Sequence, residues 1–354
     1  MSNSVLTAML YVHFLFLYSL SYLIQTVNLS LSWKGGTFIL ENFVFSLNST
    51  VPIFLIILLG WVFRQKNILT DKFVPATNDF VFKVLLPIQL FRDISATNIK
   101  ELVDIKFLVF CFTATLICIV VIWVLAELFI KEKKSIGGFV QGAYRSSAAI
   151  LGVAFSQNMY GNSGMVPMMI IASVPLYNVM AVTLYTIYGE GERLSGKPFV
   201  KKVALGIVTN PIIIGIVLGV PFALLDVTFP TIVSKTLDSL ASITAPLALL
   251  IVGAGFDKDS AIKKLGLTAV ATSIKLVIQP LLILPIAVLL GFRNQELMAI
   301  VIMLGSPTTV ASYVMARSMK NDYVLVSSIV VLTTILSSVS ITAIVFILKS
   351  LQYI

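Results

Sequence analysis

Charge is scarce in this sequence, and histidine is almost absent. Only 12% of the 354 residues are charged, where a soluble domain of this size carries about 25%. One histidine, His13, cannot assemble the cluster that a metal enzyme needs. The two cysteines, Cys111 and Cys118, stand i,i+7 within one apolar run. That spacing admits a redox or metal pair, but ordinary packing along one helix face accounts for it and is preferred. No run alternates apolar with polar residues at period two, which excludes a membrane β-barrel. Nor is any connection long enough to hold a soluble domain.

What is abundant is apolar side chain, 58% of the residues. It comes in runs of 18 to 26 residues, the length that crosses a hydrocarbon core about 30 Å thick at 1.5 Å per helical residue. Spans are predicted at 45–63, 74–91, 105–129, 137–157, 166–188, 203–224, 238–256, 266–291, 296–317 and 324–348. The fold class is therefore an all-α polytopic membrane protein with ten transmembrane helices. The net charge of +9 lies mostly between the spans, so it reads as topology and not as a nucleic-acid surface. Fifteen Lys and Arg fall in the odd-numbered connections; seven fall in the even-numbered connections and the two ends, and three (Lys83, Arg145, Lys275) lie inside spans. Basic residues stay on the cytoplasmic side. Both ends of the ten-helix unit are thus expected outside the cytoplasm, in the plasma membrane.

Residues 1–33 hold no charged side chain, and 8–24 could just cross a membrane. A signal peptide would need a basic start, which is absent. An eleventh span, an interfacial segment and an untranslated extension compete, and the third is preferred. Lys34-Gly35-Gly36 can be encoded as a ribosome-binding sequence, with Leu40 a few codons on as a start. Residues 1–40 are accordingly set apart from the two halves that follow, 41–190 and 200–350.

Those halves share landmarks at one offset. Pro52-Ile53 and Leu59-Gly60 recur as Pro211-Ile212 and Leu218-Gly219, 159 residues later. The same offset carries Pro87 to Pro246, and Ser147 to Ser306. An odd number of spans per half forces the second copy to insert upside down. Inverted repeats are the recurrent plan of secondary transporters, in which exchangeable halves present one midplane site to either side.

Such sites form where helices break and expose backbone groups to a polar cavity. The fourth and ninth spans are the expected breaks. Pro307 removes an intrahelical hydrogen bond, and small hydroxyl residues surround it: Ser306 and Thr308 here, Ser146 and Ser147 in the fourth span. Each half-helix N-terminus carries about half a positive charge, which favours an anion. Arg145 adds a full charge inside a span, where insertion costs roughly 2.5–3.5 kcal/mol. It either snorkels to the interface or faces an anion, and a carboxylate fits the second case. Asn178, Asn48, Asn210 and Gln89 are intramembrane amides that line the cavity or brace helices; Asn178 and Asn48 are placed in the substrate site. Asp93 is the best acidic candidate for proton coupling, although its neighbour Arg92 also marks a membrane boundary. Lys275 is assigned to coupling, and Lys83 to a structural or coupling role.

The segments Leu86-Pro87-Ile88-Gln89-Leu90-Phe91, Pro175-Leu176-Tyr177-Asn178-Val179, Asn210-Pro211-Ile212-Ile213, Ala245-Pro246-Leu247, Gly305-Ser306-Pro307-Thr308 and the stretch from Thr333 to Ser337 belong together. On these, residues 41–354 resemble bacterial permeases of the auxin efflux carrier family, malate-permease-like and related in fold to bile-acid/sodium symporters. The resemblance implies ten spans, broken helices four and nine crossing at the site, and organic-acid substrates. Two departures stand out. The family commonly has Asn where this chain has Ser147, and Gly-x-Pro where it has Gly152-Val153-Ala154.

The expected function is a secondary active transporter of small organic anions, working by alternating access. Its partners are a small carboxylate, membrane lipid and a coupling proton or sodium ion. No cofactor and no nucleic acid are called for, and a homodimer is left open. A sodium-coupled symporter and a non-transporting receptor or scaffold are the alternatives. An intramembrane enzyme would need a Ser/His, paired-Asp or metal-ligand constellation, and the spans hold none.

Overall fold

The computed structural model describes residues 33–96, 104–189, 197–225 and 227–354. The readings made above for residues 1–32, His13 included, lie outside the described residues. The chain divides into two compact units, Met1–Val44 and Phe45–Ile354. Of the first, residues 33–44 are described and begin helix α1 (Trp33–Gln65).

The second unit is helical throughout. After α1 come α2 (Phe73–Phe80), a π-turn at Val81–Leu85, α3 (Leu86–Ser95), α4 (Ile105–Phe129), α5 (Lys133–Tyr144), α6 (Ala148–Tyr160) and α7 (Val166–Tyr188). Then follow α8 (Lys197–Val208), α9 (Pro211–Leu225), α10 (Thr231–Ala254), the short α11 (Lys258–Lys263), α12 (Leu265–Ser273), a second π-turn at Ile274–Ile278, and α13 (Gln279–Leu289). The chain ends with α14 (Asn294–Gly305), α15 (Ala311–Ser318) and α16 (Tyr323–Ser350). Among the described residues there is no β-strand, only an isolated antiparallel bridge between Ser146 and Thr308.

Five stretches are long and apolar enough to cross a membrane: Ile105–Phe129, Val166–Tyr188, Thr231–Ala254, Leu265–Leu289 and Tyr323–Ser350. Shorter apolar helices run over Thr50–Gln65, Pro211–Leu225 and Asn294–Gly305. This is a multi-pass helical membrane protein. Helix α4 illustrates why. Asp104 caps it by accepting from the Phe107 N–H at 3.0 Å, and one face (Phe107, Cys111, Ala114, Cys118, Ile122) is buried. Its other face exposes Ile105, Val109, Ile117, Val121, Leu125 and Leu128. A contiguous apolar face of this kind is stable against lipid, not water. Both cysteines are free and buried on the packed face.

The two π-turns have a common cause. Proline has no N–H to donate back to the fourth residue before it, and Pro87 and Pro280 each sit just after a π-turn. The residue ahead of each proline bonds five residues back instead, Leu86 to the Val81 carbonyl and Gln279 to the Ile274 carbonyl. Lys83 and Lys275 both ride on these widened turns, with opposite fates. Lys83 is exposed and pairs with Asp79 at 3.1 Å; Lys275 is fully buried.

The expected span 203–224 is not one helix. Pro211 starts a new one, and the Asn210 Oδ1 accepts from the Ile212 N–H at 3.0 Å, capping it. That makes buried Asn210 a local brace at a helix start.

Two close helix crossings are built on glycine. Gly60 of α1 lies against the Leu250 backbone of α10, and Gly219 of α9 lies against the Phe91 carbonyl and Ile94 of α3. A Cβ at Gly60 would collide with the Leu250 carbonyl, and one at Gly219 would be a tight fit against Phe91 and Ile94, so close approach favours the bare backbone at both.

Candidate functional site

The chain leaves helical geometry twice where two helices cross. Residues 145–147 separate α5 from α6, and residues 306–310 separate α14 from α15. The broken segments bind each other. Ser146 bridges to Thr308, and the Ser147 N–H donates to the Pro307 carbonyl at 2.8 Å. The Thr308 N–H, in turn, donates to the Thr333 Oγ1 of α16 at 3.1 Å. The offset of 159 matches Ser147 with Ser306, yet the pairing is Ser146 with Thr308. The second break is the longer one, which shifts the facing residues along the chain.

Breaking two helices inside a membrane exposes carbonyls at both upstream ends, and side chains meet them. At the end of α5, the Gly142 carbonyl accepts from Thr308 Oγ1 at 2.7 Å and the Ala143 carbonyl from Gln279 Nε2 at 2.7 Å. The Tyr144 carbonyl accepts from the Lys275 ammonium at 3.3 Å. At the end of α14, Met303 accepts from the Ser146 hydroxyl and from Tyr177 at 3.4 Å. The Leu304 carbonyl accepts from Lys275 at 2.6 Å. Lys275 also donates to the Ser146 hydroxyl.

The downstream ends face a cavity of about 90 Å³. Its wall includes Ala148, where α6 begins, and Thr309 and Ala311, where α15 begins. Arg145, Ser146, Ser147 and Tyr177 reach it from the crossing, and Gln89 and Asp93 line it from α3. Arg145 is 5% exposed. Its Nη2 donates to Asn178 Oδ1 at 2.7 Å and its Nη1 to the Met315 sulfur at 3.0 Å. Among the described residues no carboxylate lies within ion-pair distance of it. Asp93, at the outer wall, is paired with Arg92 at 2.7 Å.

The cavity sits toward the end of the bundle where α3 finishes and α7 begins, with Ile94, Ile170 and Val174 in its wall. The opposite end carries a set of polar ties between helices. There Lys264 bonds Asp322, and also Glu132 at 3.3 Å and Ser135 at 3.0 Å. Asn78 reaches Ser318 at 2.8 Å, and Asn321 reaches the Tyr185 carbonyl at 2.9 Å.

The structure thus brings Arg145, Ser146, Ser147, Pro307, Thr308, Asn178, Asp93 and Lys275 to one crossing or its cavity. Ser306 is buried beside them, its hydroxyl unpartnered. Asn48 is exposed on α1 and is not in the cavity wall. Sequence reasoning passed over Gln279, Tyr177 and Met315. Gln279 had a signal: a lone amide before a proline, one turn after an intramembrane lysine.

Comparison with known proteins bears on this geometry. A family model described as membrane transport protein matches residues 45–345. The chain is 22% identical over 303 residues to an uncharacterized transporter of Methanothermobacter thermautotrophicus, covering 84% of this chain and 97% of that relative. It is 20% identical over 299 residues to an uncharacterized transporter of Methanocaldococcus jannaschii, covering 80% and 93% respectively.

Proposed function

Because this chain belongs to the membrane transport protein family, we propose that it is a secondary transporter of small organic anions, carboxylates of the malate kind, working by alternating access. The observation that carries the substrate class is Arg145. A buried guanidinium with no carboxylate partner among the described residues is an uncompensated charge, and it lines a cavity onto which two helix N-termini open. All three favour an anion, and the guanidinium fork matches the two oxygens of a carboxylate. A cavity of about 90 Å³ takes a compact acid sooner than a bulky one. Asn178 orients the guanidinium, and the backbone and hydroxyls of residues 146–147 and 307–309 supply the remaining polar wall.

The alternating mechanism rests on ten spans arranged as inverted halves, 41–190 and 200–350, with the fourth and ninth spans broken. Glycine crossings support this arrangement. Gly60 with Leu250 and Gly219 with Phe91 are the same contact twice, since each residue of one pair stands 159 positions from its counterpart in the other. Under the charge rule the tied end of the bundle, with Lys264, is cytoplasmic, so this conformation faces outward in the plasma membrane. Asp93 sits where a proton could be exchanged with that side.

A thermal-shift screen of the purified protein against small mono- and dicarboxylates tests the reading. The midpoint rises with a compact carboxylate in the wild type and not in Arg145→Ala, and proteoliposome flux of the same acid is lost with it. Unchanged binding and flux in Arg145→Ala would remove the guanidinium from the site.

A further inference from the structure

Lys275 holds a position that the transport of an anion does not explain. It is fully buried, and its ammonium spends its three protons on the Tyr144 carbonyl, the Leu304 carbonyl and the Ser146 hydroxyl. Those carbonyls belong to the last turns of α5 and α14, the two upstream helix ends, each carrying about half a negative charge. Ser146 extends the set by passing its own proton to the Met303 carbonyl of the same α14 end. Among the described residues no carboxylate pairs with Lys275. The groups nearby from packed elements are Cys118 of α4, Tyr144 of α5, Arg145 of the break after it, and Tyr177 of α7. None of them carries the compensating negative charge, so it comes from backbone oxygens converging from two directions.

Such a shell, made of oxygens alone and polarised by two helix C-termini, is what a dehydrated monovalent cation needs. We propose that the crossing of the broken helices is a monovalent-cation site with a tethered occupant: the Lys275 ammonium does there what a free sodium-like ion would do, and shortening the side chain makes the crossing bind such an ion from solution. The α12–α13 span delivers this cation from the π-turn before Pro280, where Lys275 faces the crossing. The two charges then divide the site. Lys275 holds the two C-termini together, while the two N-termini and Arg145 are left open to the anion. This inference deepens the transport reading, on which the anion side depends, but the cation side stands on Lys275 alone.

The test is a melting experiment on the purified protein in choline chloride, with sodium chloride or ethylammonium chloride substituted at constant ionic strength. The wild-type midpoint stays the same in all three salts. Lys275→Ala melts several degrees lower in choline, and sodium or ethylammonium restores it saturably. Lys275→Met, which fills the space without a charge, is destabilised and responds to neither ion. A wild-type midpoint that climbs saturably with sodium overturns the proposal, even if the alanine variant fails to fold. So does a folded Lys275→Ala that answers neither ion. Restoration of melting without carboxylate flux in the wild type would sink the transport reading and leave the cation site standing.

Discussion

The Thr244 hydroxyl donates to the Leu85 carbonyl across 3.4 Å, and the two residues stand 159 positions apart. Equivalent residues of two repeats meet only near the axis that relates them. On the proposed inverted repeat, this contact of α10 with the π-turn leading into α3 marks where the halves would exchange. The glycine crossings lie on either side of it. Replacing Gly60 or Gly219 by Leu drives a side chain into a neighbouring backbone, and overpacking of this kind destabilises by about 1–3 kcal/mol. Both variants should melt below the wild type in detergent, and by similar amounts if the crossings are equivalent. A Gly219→Leu protein that melts like the wild type would deny the close approach.

Arg145 and Asn178 give a sharper prediction about the anion. Asn178 accepts from the guanidinium through Oδ1 and donates through Nδ2 to the Val174 carbonyl at 2.9 Å. Asn178→Asp puts a carboxylate where that amide oxygen is, so the protein carries its own competitor. Pairing a buried charge relieves an uncompensated one, and the apo variant should melt above the wild type. Its carboxylate-induced shift and flux should fall about tenfold or more, since a charged partner is now occupied. Arg145→Ala in the same background should change neither quantity for the better.

Thr308 ties the two breaks together. Its hydroxyl donates to the Gly142 carbonyl at 2.7 Å, and its backbone N–H is taken by Thr333. Thr308→Val keeps the shape and leaves a buried carbonyl unpaired, a loss of about 1–3 kcal/mol. Thermal unfolding reads that loss. Turnover in proteoliposomes should fall more than substrate affinity if, as proposed, the crossing is a joint in alternating access and Arg145 holds the anion. Pro307→Ala acts in the same direction by allowing α14 to run on, and equal wild-type turnover in both variants would reduce the break to a kink.

How much of this could be read beforehand depends on which physical rule left a mark in the chain. The break at residues 306–310 was legible because a proline sits in it. The break at 145–147 has no proline and was legible only through its small hydroxyl residues and its place opposite Pro307 in the repeat. The stop at Asn210 was not, since a proline at a helix start and a proline kink read alike in sequence. Lys83 and Lys275 look equivalent as letters in apolar spans. Both ride on π-turns, so only tertiary packing separates them: Lys275 meets the broken ends of α5 and α14, while Lys83 finds Asp79 at the surface. Asn48 was placed in the site as an intramembrane amide, but it is exposed on α1 and outside the cavity wall. Gln279 was missed for another reason: its partner, the Ala143 carbonyl, exists only because a helix 136 positions earlier ends there.

The tied end of the bundle yields the last prediction. Lys264 joins α12 to Asp322 at the start of α16 and to Glu132 and Ser135 at the start of α5. Asp322 has a second duty, accepting from the Leu325 N–H at 3.1 Å to cap α16. Removing the carboxylate would therefore confuse a lost latch with a lost cap, whereas Lys264→Met removes the ammonium and keeps the cap. Lys264 is partly exposed and Asp322 is buried, so the pair is worth more than the 0–1 kcal/mol of an open surface bridge and less than a fully buried one. A latch holding one end closed loses that much bias when it is cut. Amide exchange in the first turns of α5 and α16 should quicken in Lys264→Met, and the fraction of protein open at this end should rise several-fold, while overall melting moves by a degree or two. Exchange that quickens evenly over the whole chain would mean general loosening; exchange unchanged at both helix starts would mean that Lys264 latches nothing.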